Sequence, residues 1–347
     1  MSLTRHANIP IFIPHLGCPN TCVFCNQPTI SCVQSFDISD ARRQIDEALV
    51  TIAPGVKREI AFFGGSFTGI DRELMISLLE ISHEYIKAGK VSSVRCSTRP
   101  DYISAEILDI LEEYGVGTIE LGLQSTSEVV LARSKRGHGF NIEREACRLI
   151  VERGISLVGQ MMIGLPGSTL EDEIATAKFI IDSGAVGARI YPTVVFTDTE
   201  LCSMARSGEY VPLALDDAVA RSAAVFKLFC DAKINVVRIG LCASENLSGE
   251  DTYFAGPNHP ALGELVLGET YYMSIKNQLE ILKPAKDKKV IVHVAKGQLS
   301  KAIGQKKKNR LRLLSDFDIN DIRFVESDEL DGYDVVAETE ERTYNCI

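Results

Sequence analysis

Three cysteines, Cys18, Cys22 and Cys25, fall inside "CPNTCVFC", directly after the apolar run "IPIFIP". Disulfides use thiols in pairs, so a tight odd set on a polar loop asks for another explanation. A Cys-x3-Cys-x2-Cys array lets three thiolates converge on one centre, and three readings compete. A structural zinc site takes four ligands and normally paired Cys-x2-Cys knuckles; the chain has no second knuckle. Three unligated structural cysteines would be an odd use of a polar loop. A cubane iron–sulfur cluster, held through three irons with the fourth open to an outside ligand, employs all three thiols. The remaining seven cysteines (Cys32, Cys96, Cys147, Cys202, Cys230, Cys242 and Cys346) are scattered and read as small buried hydrophobes.

A loop of this kind needs a scaffold. Short β-rich runs at 9–14, 59–65, 93–98, 118–124, 157–164 and 188–194 alternate with amphipathic stretches such as "DARRQIDEALVTIA" and "RELMISLLEISHEYIKAG". Apolar positions there recur at helical spacing, often followed by glycine or proline. This alternation predicts an α/β fold with a parallel sheet and right-handed crossovers, and six units favour a partial or full (β/α) barrel over an open sheet. Functional residues of such barrels gather at the C-terminal strand ends. The cysteine loop, "GGSFTG", "STRPD", "LQS" and "GLPGST" follow strands one to five in turn, so all fall on one rim.

The expected organisation is a barrel over 1–200, an extension packed on it over 201–285, a basic α+β module over 286–330 and an acidic tail over 331–347. The extension holds one more strand, "NVVRIGL", then "AGPNHPALGELVLGETYY", and ends at the polar hinge "KPAKDKK". With 45% hydrophobic and 24% charged residues, the chain has the balance of a soluble globular protein. No apolar run approaches the ~18 residues needed to span a bilayer and nothing reads as a signal peptide, which predicts a cytoplasmic protein with no membrane partner. Its net charge of −10 argues against nucleic-acid binding by the whole surface. One segment departs from that background: Lys296 to Arg312 carries seven basic residues and no acidic one.

The cysteine spacing after a first barrel strand resembles the radical S-adenosylmethionine (SAM) superfamily. That resemblance implies a [4Fe–4S] cluster on Cys18, Cys22 and Cys25, with SAM bound at the open iron and cleaved to a 5′-deoxyadenosyl radical. Phe24 matches the aromatic usual between the last two cysteines. Gly64, Gly65 and Ser66 resemble the second-strand motif that meets the methionine amino group. Gln124 in "ELGLQS" and Arg136 in "KRGH" match SAM contacts of the coproporphyrinogen-oxidase-like and elongator-like branches. Ser97 and Gln160 occupy strand positions where relatives place SAM-binding side chains.

"TRPD", "ELGLQS", "RGH", "GLPGST", "RIYPTVVFTDTEL" and "AGPNHPALGELV" together resemble the radical-SAM half of the elongator catalytic subunit, a tRNA-modifying family. Elongator subunits space their first two cysteines more widely and carry an acetyltransferase domain for which too few residues follow 285, so acetyl transfer is not carried over. His259 in "GPNHP" is a candidate acid or base, or else a turn histidine. Residues 290–326 read as strand, short helix, turn, helix, strand, and "IGQKKKNR" resembles the GxxG loop of a KH domain. By that likeness Lys301, Gly304, Lys306, Lys307, Lys308 and Arg310 would bind RNA, although Lys307 stands where the second glycine belongs.

The expectation is therefore a radical SAM enzyme acting on RNA, plausibly tRNA, fed by an electron donor such as flavodoxin or ferredoxin. A radical SAM enzyme for a small molecule or protein is the first alternative. A non-catalytic RNA-binding or scaffold protein is the second.

Overall fold

The computed structural model describes residues 6–13, 18, 22–25, 36–241 and 252–339. Seven strands build the main sheet: β1 (His6–Phe12), β2 (Lys57–Phe63), β3 (Ser93–Thr98), β4 (Val116–Gln124), β5 (Ser156–Ile163), β6 (Gly187–Pro192) and β8 (Asn235–Ile239), while β7 (Val195–Phe196) and β9 (Tyr253–Ala255) pair with each other apart from it. They lie in chain order and every pairing is parallel. Period-two alternation gives each strand two faces. On β3, Val94 and Cys96 are fully buried in the main core, while Ser93, Arg95 and Ser97 point to the other side. That other side is concave. Arg189 on β6 lies 5.6 Å from the ring centre of Phe63 on β2, across three intervening strands, which a flat sheet could not allow. The sheet is thus curled into a half-barrel.

Helices cover the convex face. In α2 (Arg72–Lys87), Met75, Leu78, Leu79 and Tyr85 repeat at helical spacing and are buried. Its first turn is closed by Asp71, whose carboxylate accepts from Leu74 N–H at 3.1 Å. Ser104 does the same for α3 (Ala105–Glu113), and Thr169 with Asp172 forms a full capping box on α6 (Leu170–Asp182). These caps set where each strand-to-helix loop ends, and the rim is made of those loops.

The helix α9 (Leu262–Leu282) serves two cores. Leu262 and Val266 belong to the main core, whereas Tyr271, Tyr272, Ile275 and Leu279 join a second core. Over that second core lies a small sheet of β10 (Lys289–Ala295), β11 (Asp321–Ser327) and β12 (Val335–Thr339). Strands β10 and β11 run parallel, with α10 (Leu299–Ile303) and α11 (Lys308–Asp316) between them, while β12 pairs antiparallel with β10. The tail expectation needs correcting here. Residues 335–339 are a strand, and just before it Tyr333 packs against Phe226 and Tyr271, while Tyr271 donates to the Gly332 carbonyl. Val335 and Ala337, alternate residues of "DVVAE", supply the apolar face on the second core, while Val336 points outward. Residues 340–347 lie outside the described residues. Among the described residues, no helix is long and apolar enough to cross a membrane.

Candidate functional site

The second half of the cysteine loop is pinned by its middle residues. Val23 is buried with Val195, Leu201, Cys202 and Tyr210, and Phe24 packs against the same cluster. The Val23 N–H donates to the Ser134 carbonyl at 3.2 Å, and its own carbonyl accepts from Leu201 N–H at 2.8 Å. The Cys25 N–H donates to the Cys22 carbonyl at 3.0 Å. Two apolar residues between Cys22 and Cys25 therefore anchor the thiols that flank them.

Two buried arginines face that loop. Arg136 Nη1 donates to Cys22 Sγ at 3.4 Å and Arg99 Nη1 approaches the same sulfur at 3.7 Å. Burial raises the Cys18 thiol's pKa, with the Arg99 and Arg136 charges pulling against it and Cys22 adding to it. Behind the arginines runs a polar chain. Arg99 grips Asp101 with two bonds at 2.9 and 2.8 Å, His138 Nδ1 stands 3.5 Å from Asp101, and His138 Nε2 meets Glu143 at 3.2 Å. Burial alone would raise the Asp101 pKa, yet hydrogen bonds from His138 and Arg99 outweigh it and hold the carboxyl well below its usual range. Burial pushes Glu143 up to about 7, against the pull of His138. Arg99, Asp101 and His138 fall within "TRPD" and "KRGH", yet the motifs alone do not mark them, or Glu143, as site residues. The signal available was charged residues following strand three directly, where only a buried partner makes them affordable.

The expected cofactor residues divide. Gln124 ends β4 with φ of 71°, a left-handed conformation that is uncommon without glycine. It is buried and, among the described residues, its Oε1 has no hydrogen-bond partner, and neither does the buried Nε of Arg136. A Cβ on Gly122 would lie 3.0 Å from the Gln124 amide and 3.8 Å from Arg136, so this glycine keeps the two groups side by side. Ser97 and Gln160 are half-buried on the concave face. Gly64 is explained within the protein, because at φ +112° its Cβ would meet the Ile13 carbonyl oxygen at 2.5 Å. Ser66 is fully buried, sharing a 2.8 Å hydrogen bond with Thr98 and accepting from Arg99 N–H at 3.2 Å. Both brace the rim from inside.

The strand-five loop is braced as well. Glu173 accepts from Gly164 N–H at 2.7 Å, from Ser168 and from Arg221. Lower in the half-barrel, Glu59, Arg95, Glu120 and Arg189 form one ion-pair chain across β2, β3, β4 and β6. Burial opposes charge on Glu59, but Ser93, Arg95 and His6 bring its pKa down to about 2.

His259 acts locally: its Nδ1 accepts from Ala261 N–H at 3.1 Å and its carbonyl from Leu262 N–H at 3.0 Å, opening α9. In the basic segment most charge is already matched. Lys308 pairs with Asp216, Arg310 with Asp321, Arg312 with Glu269, Lys296 with Asp328, and Lys301 donates to Gln298. Lys306 and Lys307, at φ of 50° and 63°, turn the loop after Gly304 and are exposed with no acidic partner among the described residues.

Among the described residues, no three His, Cys, Asp or Glu side chains already converge as a metal site. The donor set nonetheless suits an iron–sulfur cluster with SAM. Three thiols share one anchored loop, two guanidinium groups meet the Cys22 sulfur, and an orphaned amide oxygen and guanidine nitrogen stand beside them.

Comparison with known proteins agrees. Residues 12–180 match the radical SAM superfamily domain, and residues 185–272 match the radical SAM C-terminal domain. A provisionally named methylthiotransferase of Methanocaldococcus jannaschii is 29% identical over 62% of this chain and 51% of its own length. The tRNA uridine(34) acetyltransferase of Methanocaldococcus infernus is 31% identical over 38% of this chain and 26% of its own. The chain thus spans about half the length of the first of these relatives and about a quarter of the second. Among solved structures, archaeal Elp3 of M. infernus, lacking its N-terminal residues, superposes with a TM-score of 0.62 at 22% identity, covering 80% of this chain and 64% of that one. That likeness speaks to the fold.

Proposed function

Because the chain belongs to the radical SAM superfamily, with the domain over residues 12–180 and its C-terminal domain over 185–272, we propose that it cleaves SAM reductively and acts on RNA, with tRNA as the substrate class. The superfamily uses a [4Fe–4S] cluster and SAM, and its members are enzymes. Cys18, Cys22 and Cys25 would hold the cluster, which when bound supplies the electron that converts SAM to methionine and a 5′-deoxyadenosyl radical.

The protein's own contribution is binding, charge and exclusion of water. Arg99 and Arg136 offset the negative charge of the Cys22 thiolate. Gln124 offers its unpartnered amide oxygen to the cofactor's donors, and Arg136 offers its free nitrogen to an acceptor. Ser97 and Gln160 on the concave face, and Gly65 in the turn after β2, would complete the pocket. The carrying observation is Cys22 against two guanidinium groups with the orphaned Gln124 amide nearby.

The RNA half has thinner support: relatives named for tRNA modification, and two lysines in a KH-like turn that have no acidic partner among the described residues. We place the reaction in the cytoplasm, with a flavodoxin- or ferredoxin-type electron donor. The ion pairs that neutralise Lys308, Arg310 and Arg312 favour a second reading, a small-molecule or protein substrate.

Anaerobic reconstitution with iron and sulfide should give a brown protein with about four irons per chain that forms 5′-deoxyadenosine from SAM. A colourless protein, or a tetrahedral zinc site on the three thiolates, overturns the cofactor half. Sequencing RNA that co-purifies anaerobically, with tRNA binding measured across salt, tests the other half. Absent or salt-insensitive binding overturns it.

A further inference from the structure

The concave face holds an aromatic wall that the cofactor chemistry leaves unused. Phe12 ends β1 and Phe63 ends β2; the two are register partners, with ring centres 6.0 Å apart and planes tilted by 44°. The neighbouring residues Ile11 and Phe62 point the opposite way into the main core, so both rings face the interior of the half-barrel. Arg189 sits over Phe63 at 5.6 Å and is itself held by Glu120 and by the Tyr191 hydroxyl. Phe63 is thereby fixed, while Phe12 stays 38% exposed. Phe12 thus keeps ring surface accessible on the inner face of the half-barrel, at the strand end that leads into the cysteine loop. Leucine would close the strand end as well and expose less ring.

Resting on the RNA reading above, we propose that Phe12 and Phe63, with Arg189 behind them, form the stacking platform for the target nucleobase. Planar faces attract an unpaired base through stacking, and a guanidinium over the adjoining ring reinforces such a platform. An interior location requires the base to leave its own stack and enter the half-barrel, where it lies on the same face as Gln160 and Ser97 and beneath the cysteine loop. The lysines of the C-terminal turn would hold phosphates, and these rings would select the reacting nucleotide.

The test uses the full chain, reconstituted anaerobically, and unfractionated tRNA. Ultraviolet cross-linking followed by peptide mapping should place a nucleotide on the segments containing Phe12 or Phe63. Phe12→Leu should lower that cross-link by roughly tenfold, whereas Phe12→Trp should retain or raise it. Iron content and Tm, measured on both variants, report folding independently. A merely structural ring would be replaced by leucine without loss, so equal cross-linking by wild type and Phe12→Leu overturns the platform. Cross-links confined to the C-terminal module overturn it as well. If wild-type protein binds no tRNA, the RNA reading falls first and the platform with it. Wild-type binding that ignores Phe12 sinks the platform alone.

Discussion

At the barrel rim, two buried polar groups lack a partner among the described residues; in the C-terminal module, most basic groups have one. Gln124 and Arg136 each keep a buried polar atom without a hydrogen bond, and Gln124 does so in a strained backbone conformation. Lys308, Arg310 and Arg312, in contrast, each face a carboxylate, and Arg312 also stacks over Tyr272 at 3.6 Å. A buried polar atom left unsatisfied costs about 1–3 kcal/mol, so it persists where a ligand completes it. An exposed pair costs little and signifies little. Unsatisfied atoms occur elsewhere too, at Arg58 and Ser222 for example; what singles out Arg136 is that its unpartnered nitrogen belongs to a side chain that also meets the Cys22 sulfur, with the Gln124 amide close by.

The largest effect should come from Cys22→Ala. Removing one of three ligands should abolish the iron–sulfur absorption and the bound iron, whereas Lys306→Gln with Lys307→Gln should leave both unchanged. Equal iron content in the two variants would erase the distinction between the regions.

Next is Gln124. Glycine there relieves a strain of about 1 kcal/mol or more, while alanine keeps it. Gln124→Gly should therefore match or exceed the wild-type Tm, and Gln124→Ala should fall below it. Both should bind SAM roughly tenfold or more weakly by calorimetry, since both lose the amide. Unchanged SAM affinity in the glycine variant would reduce Gln124 to a structural oddity.

A smaller effect belongs to the module. Neutralising Lys306 and Lys307 together should weaken tRNA binding several-fold and lower the salt slope by about 2, one per phosphate contact. Lys308→Gln should change that slope less, because Asp216 already meets its charge. Equal slopes for the two would mean that the ion pair opens on binding.

Much of this was legible in the chain. Six of the seven parallel strands follow from alternation and glycine punctuation, whereas the seventh, expected in the extension, pairs with β6 in the main sheet; the rim follows from the rule that such strands present function at their C-terminal ends. The resemblance of "CPNTCVFC" pointed to the cluster. Partner choice was hidden. Nothing local in "KKKNRLR" reveals that Asp216 and Glu269, distant in sequence, and Asp321 on the following strand neutralise three of its charges. Gly64 and Ser66 sit in a motif, yet their glycine and hydroxyl answer to Ile13, Thr98 and Arg99. Those requirements exist only once β1, β2 and β3 lie side by side. The tail's strand escaped notice because five residues of weak alternation were outweighed by acidic neighbours.

The buried chain behind the arginines gives the smallest and most diagnostic effect. Glu143 has its pKa raised to about 7, so between its ordinary value near 4.5 and about 7 the folded state holds a proton that the unfolded state has released. Stability from this group is therefore full below about 4.5 and declines as pH rises toward 7. His138 acts in the same direction: burial opposes its charge, but Asp101 and Glu143 raise its pKa above 6.5, and that contribution is lost as pH climbs through the raised value. Asp101, held low, has the opposite sign and matters only in acid, where its contribution disappears as pH falls. Wild-type Tm should thus drop by a few degrees from pH 5 to pH 7.5. Glu143→Gln keeps an oxygen for His138 and removes one titration, so its Tm should fall less over the same interval. Some slope remains, because buried Glu173 is also raised. A variant whose Tm tracks wild type in parallel would mean that Glu143 ionises freely, and the rim's buried chain would then be no tighter than the surface pairs of the module.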